Sequence, residues 1–84
     1  MAKIDIMERV TDEQIADFGM TKEEFENSRA RFLMEAMLMS THDAVEETTL
    51  RLMREKSLSY AEAKAIAVEM TRRTVEEMMR SGMK

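Results

Sequence analysis

The side chains in this sequence with the most distinctive chemistry are methionines near its single histidine. Met34, Met37, Met39 and His42 fall within nine consecutive residues. Thioether sulfur favours Cu(I), so a soft-metal site is one interpretation of this spacing. On a helix, however, Met37 and Met39 point about 160° apart and cannot converge on one ion. We therefore expect no metal site here, and we expect these flexible, polarizable side chains to fill apolar contacts.

The other polar residues do not form a pattern that is typical of an active site. His42 and Asp43 are adjacent, and neighbouring residues on a helix do not face each other, which argues against a catalytic dyad. The sequence has no cysteine and two glycines, which argues against a thiol nucleophile and a phosphate-binding glycine-rich loop. Adjacent carboxylates such as Glu46 and Glu47 are typical of a solvated helix face. We expect a protein that is not an enzyme, with no catalytic residues and no cofactor.

The composition favours a small helical domain. The chain has 84 residues, no proline, and three phenylalanines and one tyrosine as its only aromatic residues. A β-rich fold needs more turn residues and more aromatic or β-branched residues than this. The net charge of −4 gives no general attraction for nucleic acid or for an anionic membrane. No signal peptide or membrane-spanning run is recognisable, so we expect a cytoplasmic protein.

Three capping boxes predict where helices begin. In this motif a serine or threonine hydroxyl accepts a backbone N–H three residues later, and a glutamate or glutamine at that position reaches back. The motif begins at Thr11, Thr21 and Ser59, and Gly19 and Gly82 are suited to end helices. We expect a single all-α domain, 1–84, with an N-terminal arm, 1–10, and helices over 12–18, 22–56 and 60–80.

The helix expected over 22–56 has two different apolar faces. Its first half is apolar on one face, and its second half is apolar on another face, rotated by roughly 140°. The helix either breaks at 40–43, where Ser40 or Thr41 would cap a new helix, or continues while its two halves pack on different neighbours. We expect a continuous helix, because connections with almost no loop residues are rarer than loops of about 2–8 residues.

The last helix is expected to fold back on the long helix as an antiparallel hairpin. Its inner stripe would consist of Ala63, Ile66, Ala67, Met70, Thr74 and Met78. Residues 32–39 are apolar except for Glu35, so they would make a helix apolar around nearly its whole circumference. The short helices of the chain cannot cover all of this surface. We therefore expect self-association into a helical bundle, as a homodimer, through Met34, Met37, Leu38 and Met39.

The N-terminal third combines acidic and apolar side chains. Residues 1–27 carry three basic and eight acidic side chains. Such a segment suits a basic patch on another protein, because complementary charge raises the association rate and apolar burial holds the complex. The residues predicted to bind this protein partner are Ile4, Ile6, Met7, Asp12 and Glu13. In the alternative interpretation, the apolar residues of the arm dock on the chain's own helices.

The same region also resembles a helix-turn-helix DNA-binding unit. Residues 14–25 contain a short helix, a glycine, an apolar residue, a capping threonine and the start of a second helix, in the order found in that motif. The start of the second helix carries Glu23, Glu24 and Glu26, which the phosphates of DNA would repel. The sequence therefore favours a non-enzymatic protein–protein interaction or assembly module, with a helix-turn-helix regulator as the alternative.

Overall fold

The structure is a computed structural model that describes residues 9–82. Within this range the chain forms four α-helices and no strand. The helices are α1 (Asp12–Asp17), α2 (Lys22–Leu38), α3 (Thr41–Lys56) and α4 (Tyr60–Gly82). The expectation of an all-α fold is confirmed.

Hydroxyl side chains cap the beginnings of the helices. Thr11 and Thr21 form complete capping boxes at α1 and α2. At α4, the Glu62 backbone N–H donates to Ser59 Oγ at 3.1 Å, and the Ser59 N–H donates to Glu62 Oε1 at 3.0 Å. The backbone N–H groups of the first helical turn have no partner within their helix, so these side chains satisfy donors that would otherwise depend on water.

The prediction of one continuous helix over 22–56 is wrong, and the alternative of a break is what the structure shows. α2 ends at Leu38, and Met39 is its C-cap, with φ −127° and ψ −122°. Ser40 is the N-cap of α3, where its Oγ accepts the Asp43 backbone N–H at 3.1 Å. The chain therefore changes direction within two residues. The two apolar faces noted in the sequence belong to two separate helices, each with its own buried side.

The hydrophobic core joins all four helices and Val10, which lies two residues before α1. Its buried members are Val10, Ile15, Met20, Phe25, Leu52, Ala63, Ile66 and Met70. α3 and α4 make the most extensive helix–helix contact, so the last helix packs mainly on the second half of the expected long helix. Ala44 on α3 and Ala67 on α4 are completely buried, and such short side chains let helix axes approach closely.

Candidate interaction surface

Five large apolar side chains at the C-terminal end of α2 are exposed to solvent. We call them the α2 surface, and they are Leu33, Met34, Met37, Leu38 and the C-cap Met39. Met37 and Leu38 are each 79% exposed, whereas Phe32, on the inner side of the same helix, is buried. Positions 33, 34, 37 and 38 have the spacing of a single helix face. Single exposed apolar residues are ordinary, but a contiguous group of this kind is typical of an interaction site.

The four residues predicted for self-association all belong to the α2 surface. They are Met34, Met37, Leu38 and Met39. Leu33 also belongs to this surface and was not among the predicted residues. The signal for Leu33 was present in its helical spacing, since it precedes Met37 by four residues and therefore lies on the same face.

A groove between α2 and α4 continues the α2 surface. Ala30 and Leu33 line it on the α2 side, and Met78 and Ser81 line it on the α4 side. Met78 is 61% exposed, so the prediction that places it in the inner stripe of the last helix is wrong. The buried part of that stripe ends at Thr74, because α2 leaves the groove open beside the last turns of α4.

Arg29 links the two helices that form the groove. Its guanidinium donates to Glu26 Oε1 on α2 at 2.9 Å and to Glu77 Oε1 on α4 at 2.9 Å. It also donates to Thr74 Oγ1 at 3.3 Å. Charged hydrogen bonds of this kind are directional, so they fix the spacing of α2 and α4 beside the apolar side chains.

A largely buried ion pair supports the α2 surface from the inner side of the helix. Arg51 Nη1 on α3 donates to Glu35 Oε2 at 3.0 Å, and their side chains are 5% and 16% exposed. Glu35 therefore does not share the outward face of its neighbour Met34. The pair holds the last turns of α2 on α3, so the exposed stripe is carried by a fixed helix rather than by a loose end.

Glu69 of α4 holds the first described residues, which precede α1, against the helices. Its carboxylate, whose side chain is 2% exposed, accepts hydrogen bonds from Arg9 Nε at 2.9 Å, Arg73 Nε at 2.8 Å and the Val10 backbone N–H at 3.0 Å. Burial opposes the ionisation of Glu69, but these donors outweigh it and lower its pKa to about 2. Val10 is itself buried in the core, so this end of the expected arm packs on the chain's own helices.

The residues predicted to bind another protein are only partly placed by the structure. Ile4, Ile6 and Met7 lie outside the described residues. Asp12 and Glu13 are exposed in the first turn of α1. Asp12 accepts a hydrogen bond from Arg73 Nη1 at 2.8 Å, so it already takes part in an ion pair within the chain. A docking site in this region stays a prediction.

α1, Gly19 and α2 follow the order of a helix-turn-helix unit. Gly19 has a φ of 89°, a conformation that glycine adopts without steric cost. The first turn of α2 exposes Glu23 and Glu24. Lys56 Nζ donates to Glu24 Oε1 at 2.9 Å, and the Thr21 N–H and Lys56 lower the pKa of Glu24. The first turn of α2 is therefore acidic, whereas the corresponding turn of a DNA-binding helix needs neutral or basic side chains that do not repel phosphate.

Across residues 9–82, no group of three or more histidine, cysteine, aspartate or glutamate side chains could hold a metal ion. His42 is exposed in the first turn of α3. None of the helices in the described part of the chain combines the length and the apolar character needed to span a membrane.

Neither a protein-family model, nor a curated protein, nor a solved structure matches the chain.

Proposed function

We propose that the chain is a small non-enzymatic assembly module that pairs with a second copy of itself through the α2 surface. The observation that supports the proposal is the exposure of four large apolar side chains on one side of a helix whose other side is buried, with a fifth at its C-cap. Charged residues make up 36% of this chain, and five of the ten large apolar side chains that are exposed among the described residues lie together in the α2 surface. A second copy that covers the stripe would remove it from water.

The burial available at this surface suits a reversible contact. Complete burial of a leucine or methionine side chain contributes about 1.5–3 kcal/mol. The α2 surface and Met78 are on average somewhat more than half exposed, so covering all six on both copies contributes roughly 11–22 kcal/mol. Association costs roughly 4–15 kcal/mol in lost freedom. We therefore expect a weak dimer, with a dissociation constant between about 1 μM and 1 mM.

The same burial can be expressed as an area. The six side chains of one copy correspond to roughly 200–450 Å² of apolar area at about 25 cal/mol per Å². Each partner in an interface of standard size buries about 800 Å². The α2 surface would then form the apolar centre of a contact whose remaining area is polar, as in other reversible complexes.

Light scattering after size exclusion tests the proposal over a concentration series from about 10 μM to 1 mM. The mean mass should rise from 9.8 kDa towards twice that value as the concentration increases. Met34→Asp and Leu38→Asp should each move the rise to higher concentration, because a carboxylate in an apolar contact loses its hydration without gaining a partner.

Leu50→Asp is the matched control for these variants. Leu50 is 48% exposed on α3 and belongs neither to the α2 surface nor to the groove beside it, so the same substitution there should leave the mass curve unchanged. A protein that stays at 9.8 kDa at the highest concentration would contradict the proposal. A dimer that both aspartate variants leave intact would show that the contact lies elsewhere.

A further inference from the structure

We propose that the two copies pair through α2 in an antiparallel register, with a two-fold axis between Glu35 and Ala36. The inference rests on the proposed self-association and specifies its geometry. The segment Leu33-Met34-Glu35-Ala36-Met37-Leu38 reads the same from both ends at its four outer positions. A two-fold axis at its centre therefore places Leu33 of one copy level with Leu38 of the other, and Met34 level with Met37. Met34 and Met37 are only about 60° apart around the helix and face each other at the centre of the contact, whereas Leu33 and Leu38 lie at its two edges.

The symmetric positions are also the exposed positions. Leu33, Met34, Met37 and Leu38 form the outward stripe, whereas Glu35 is paired with Arg51 on the inner side. A two-fold interface uses the same patch on both copies, so a contact from one residue to a second is repeated from the second to the first. A patch that is palindromic in sequence meets this requirement with leucine against leucine and methionine against methionine.

Charges at the two ends of the stripe favour the antiparallel direction over the parallel one. Arg31 is 62% exposed at one end, and Asp43 is exposed in the first turn of α3 at the other end. Among the described residues of its own chain, Arg31 makes an ion pair only with Glu35, at 3.5 Å. In the antiparallel register, Arg31 of one copy lies level with position 40 of the other copy, three residues before Asp43. In a parallel register, each Arg31 would instead approach the other Arg31, and like charges across an interface oppose binding.

The short side chain of Ala30 leaves room for the other copy where its α2 ends. Ala30 is exposed, and in this register it lies level with position 41 of the other copy, directly after the turn at Met39 and Ser40. The register therefore fits the abrupt end of α2.

Disulfide cross-linking tests the register, because the chain has no cysteine of its own. We would mix the Met34→Cys and Met37→Cys variants and oxidise them mildly. In the antiparallel register these two positions are level and face each other across the two-fold axis. Two copies of position 34 are then offset along the helices by about 4.5 Å, in addition to the distance between the helices. Disulfides join Cα atoms only about 4.4–6.8 Å apart.

The mixed disulfide should exceed each homodimeric disulfide by about ten-fold, because only the mixed pair meets the geometry of the bond. An excess of the two homodimers would overturn the antiparallel register and indicate a parallel one. Yields that follow random pairing would also overturn it. Leu50→Cys, outside the α2 surface and its groove, measures cross-linking by collision, and a yield equal to that of the mixed pair would count against a specific contact.

A charge exchange provides a second test that leaves every apolar side chain in place. Arg31→Glu and Asp43→Lys should each weaken the dimer, and an equimolar mixture of the two variants should restore it, because each contact again joins opposite charges. Failure of the mixture to recover the dimer would contradict the register.

Light scattering of the cysteine variants under reducing conditions separates the proposal of self-association from the proposal of its register. Monomers throughout would contradict self-association itself, whereas a dimer with the wrong disulfides would contradict only its geometry.

Discussion

Glu69→Gln should destabilise the protein strongly at neutral pH. The carboxylate of Glu69 is the common acceptor for Arg9, Arg73 and the Val10 N–H, and glutamine keeps its shape while removing its charge. Its pKa falls from an ordinary 4.5 to about 2. A difference of about 2.5 pH units corresponds to roughly 3 kcal/mol of stability for the ionised form. In a domain of this size that loss lowers the melting temperature by about 10–20 °C.

The pH dependence gives this prediction a second, independent readout. The pKa of Glu69 is lowered in the folded state, so its contribution is complete above the unfolded value of about 4.5. It is lost as the pH falls from about 5 towards 2. The wild type should therefore lose stability over this interval more steeply than Glu69→Gln, and the two melting temperatures should converge at the acidic end.

Circular dichroism melts at a series of pH values measure both effects. Glu76→Gln is the matched control. Glu76 also lies on α4 and pairs with Arg9, but its side chain is 49% exposed. Exposed ion pairs contribute about 0–1 kcal/mol, so this variant should melt within a few degrees of the wild type. An equal melting temperature for Glu69→Gln and the wild type at neutral pH would refute the reasoning, as would parallel pH profiles.

Three further predictions concern other parts of the chain. Deletion of residues 1–10 should lower the melting temperature by several degrees in circular dichroism melts, because it removes Arg9 and the buried Val10. Deletion of residues 1–8 is the control, because it retains both residues. Equal losses for the two deletions would contradict this prediction. Arg51→Leu should cost about 3 kcal/mol in a urea titration, because it leaves the largely buried Glu35 with only its longer contact to the exposed Arg31. The double variant with Glu35→Leu should recover most of the loss, and a single variant as stable as the wild type would contradict this. Electrophoretic retardation at low salt should show no binding to mixed DNA fragments, and salt-sensitive binding would favour the helix-turn-helix alternative.

The starts of the helices could be predicted because capping is a local property. A hydroxyl and a glutamate or glutamine three residues later are enough to satisfy the donors of the first turn, as at Thr21 and Ser59. The break between α2 and α3 carried a weaker signal. Ser40 caps α3 without a glutamate or glutamine partner, and neither glycine nor proline marks the turn at Met39. The fold therefore depends there on packing that the local sequence does not reveal.

The candidate surface could be predicted only in part for a similar reason. The density of apolar residues in 32–39 showed that some of them would stay uncovered, and four of the exposed residues were predicted. The side of α2 that faces the protein interior depends on the position of α3 and α4. Met78 illustrates this dependence, because its helical spacing assigns it to the inner stripe while the open groove leaves it exposed.

Sedimentation equilibrium of the unmodified chain tests self-association most directly, because it measures mass without a matrix or a label. At about 1 mM protein, the upper end of the expected range of dissociation constants, a substantial fraction should sediment as a dimer. Leu38→Asp at the same concentration should sediment closer to 9.8 kDa. A wild-type protein that fits a single 9.8 kDa species at every concentration would contradict self-association through the α2 surface.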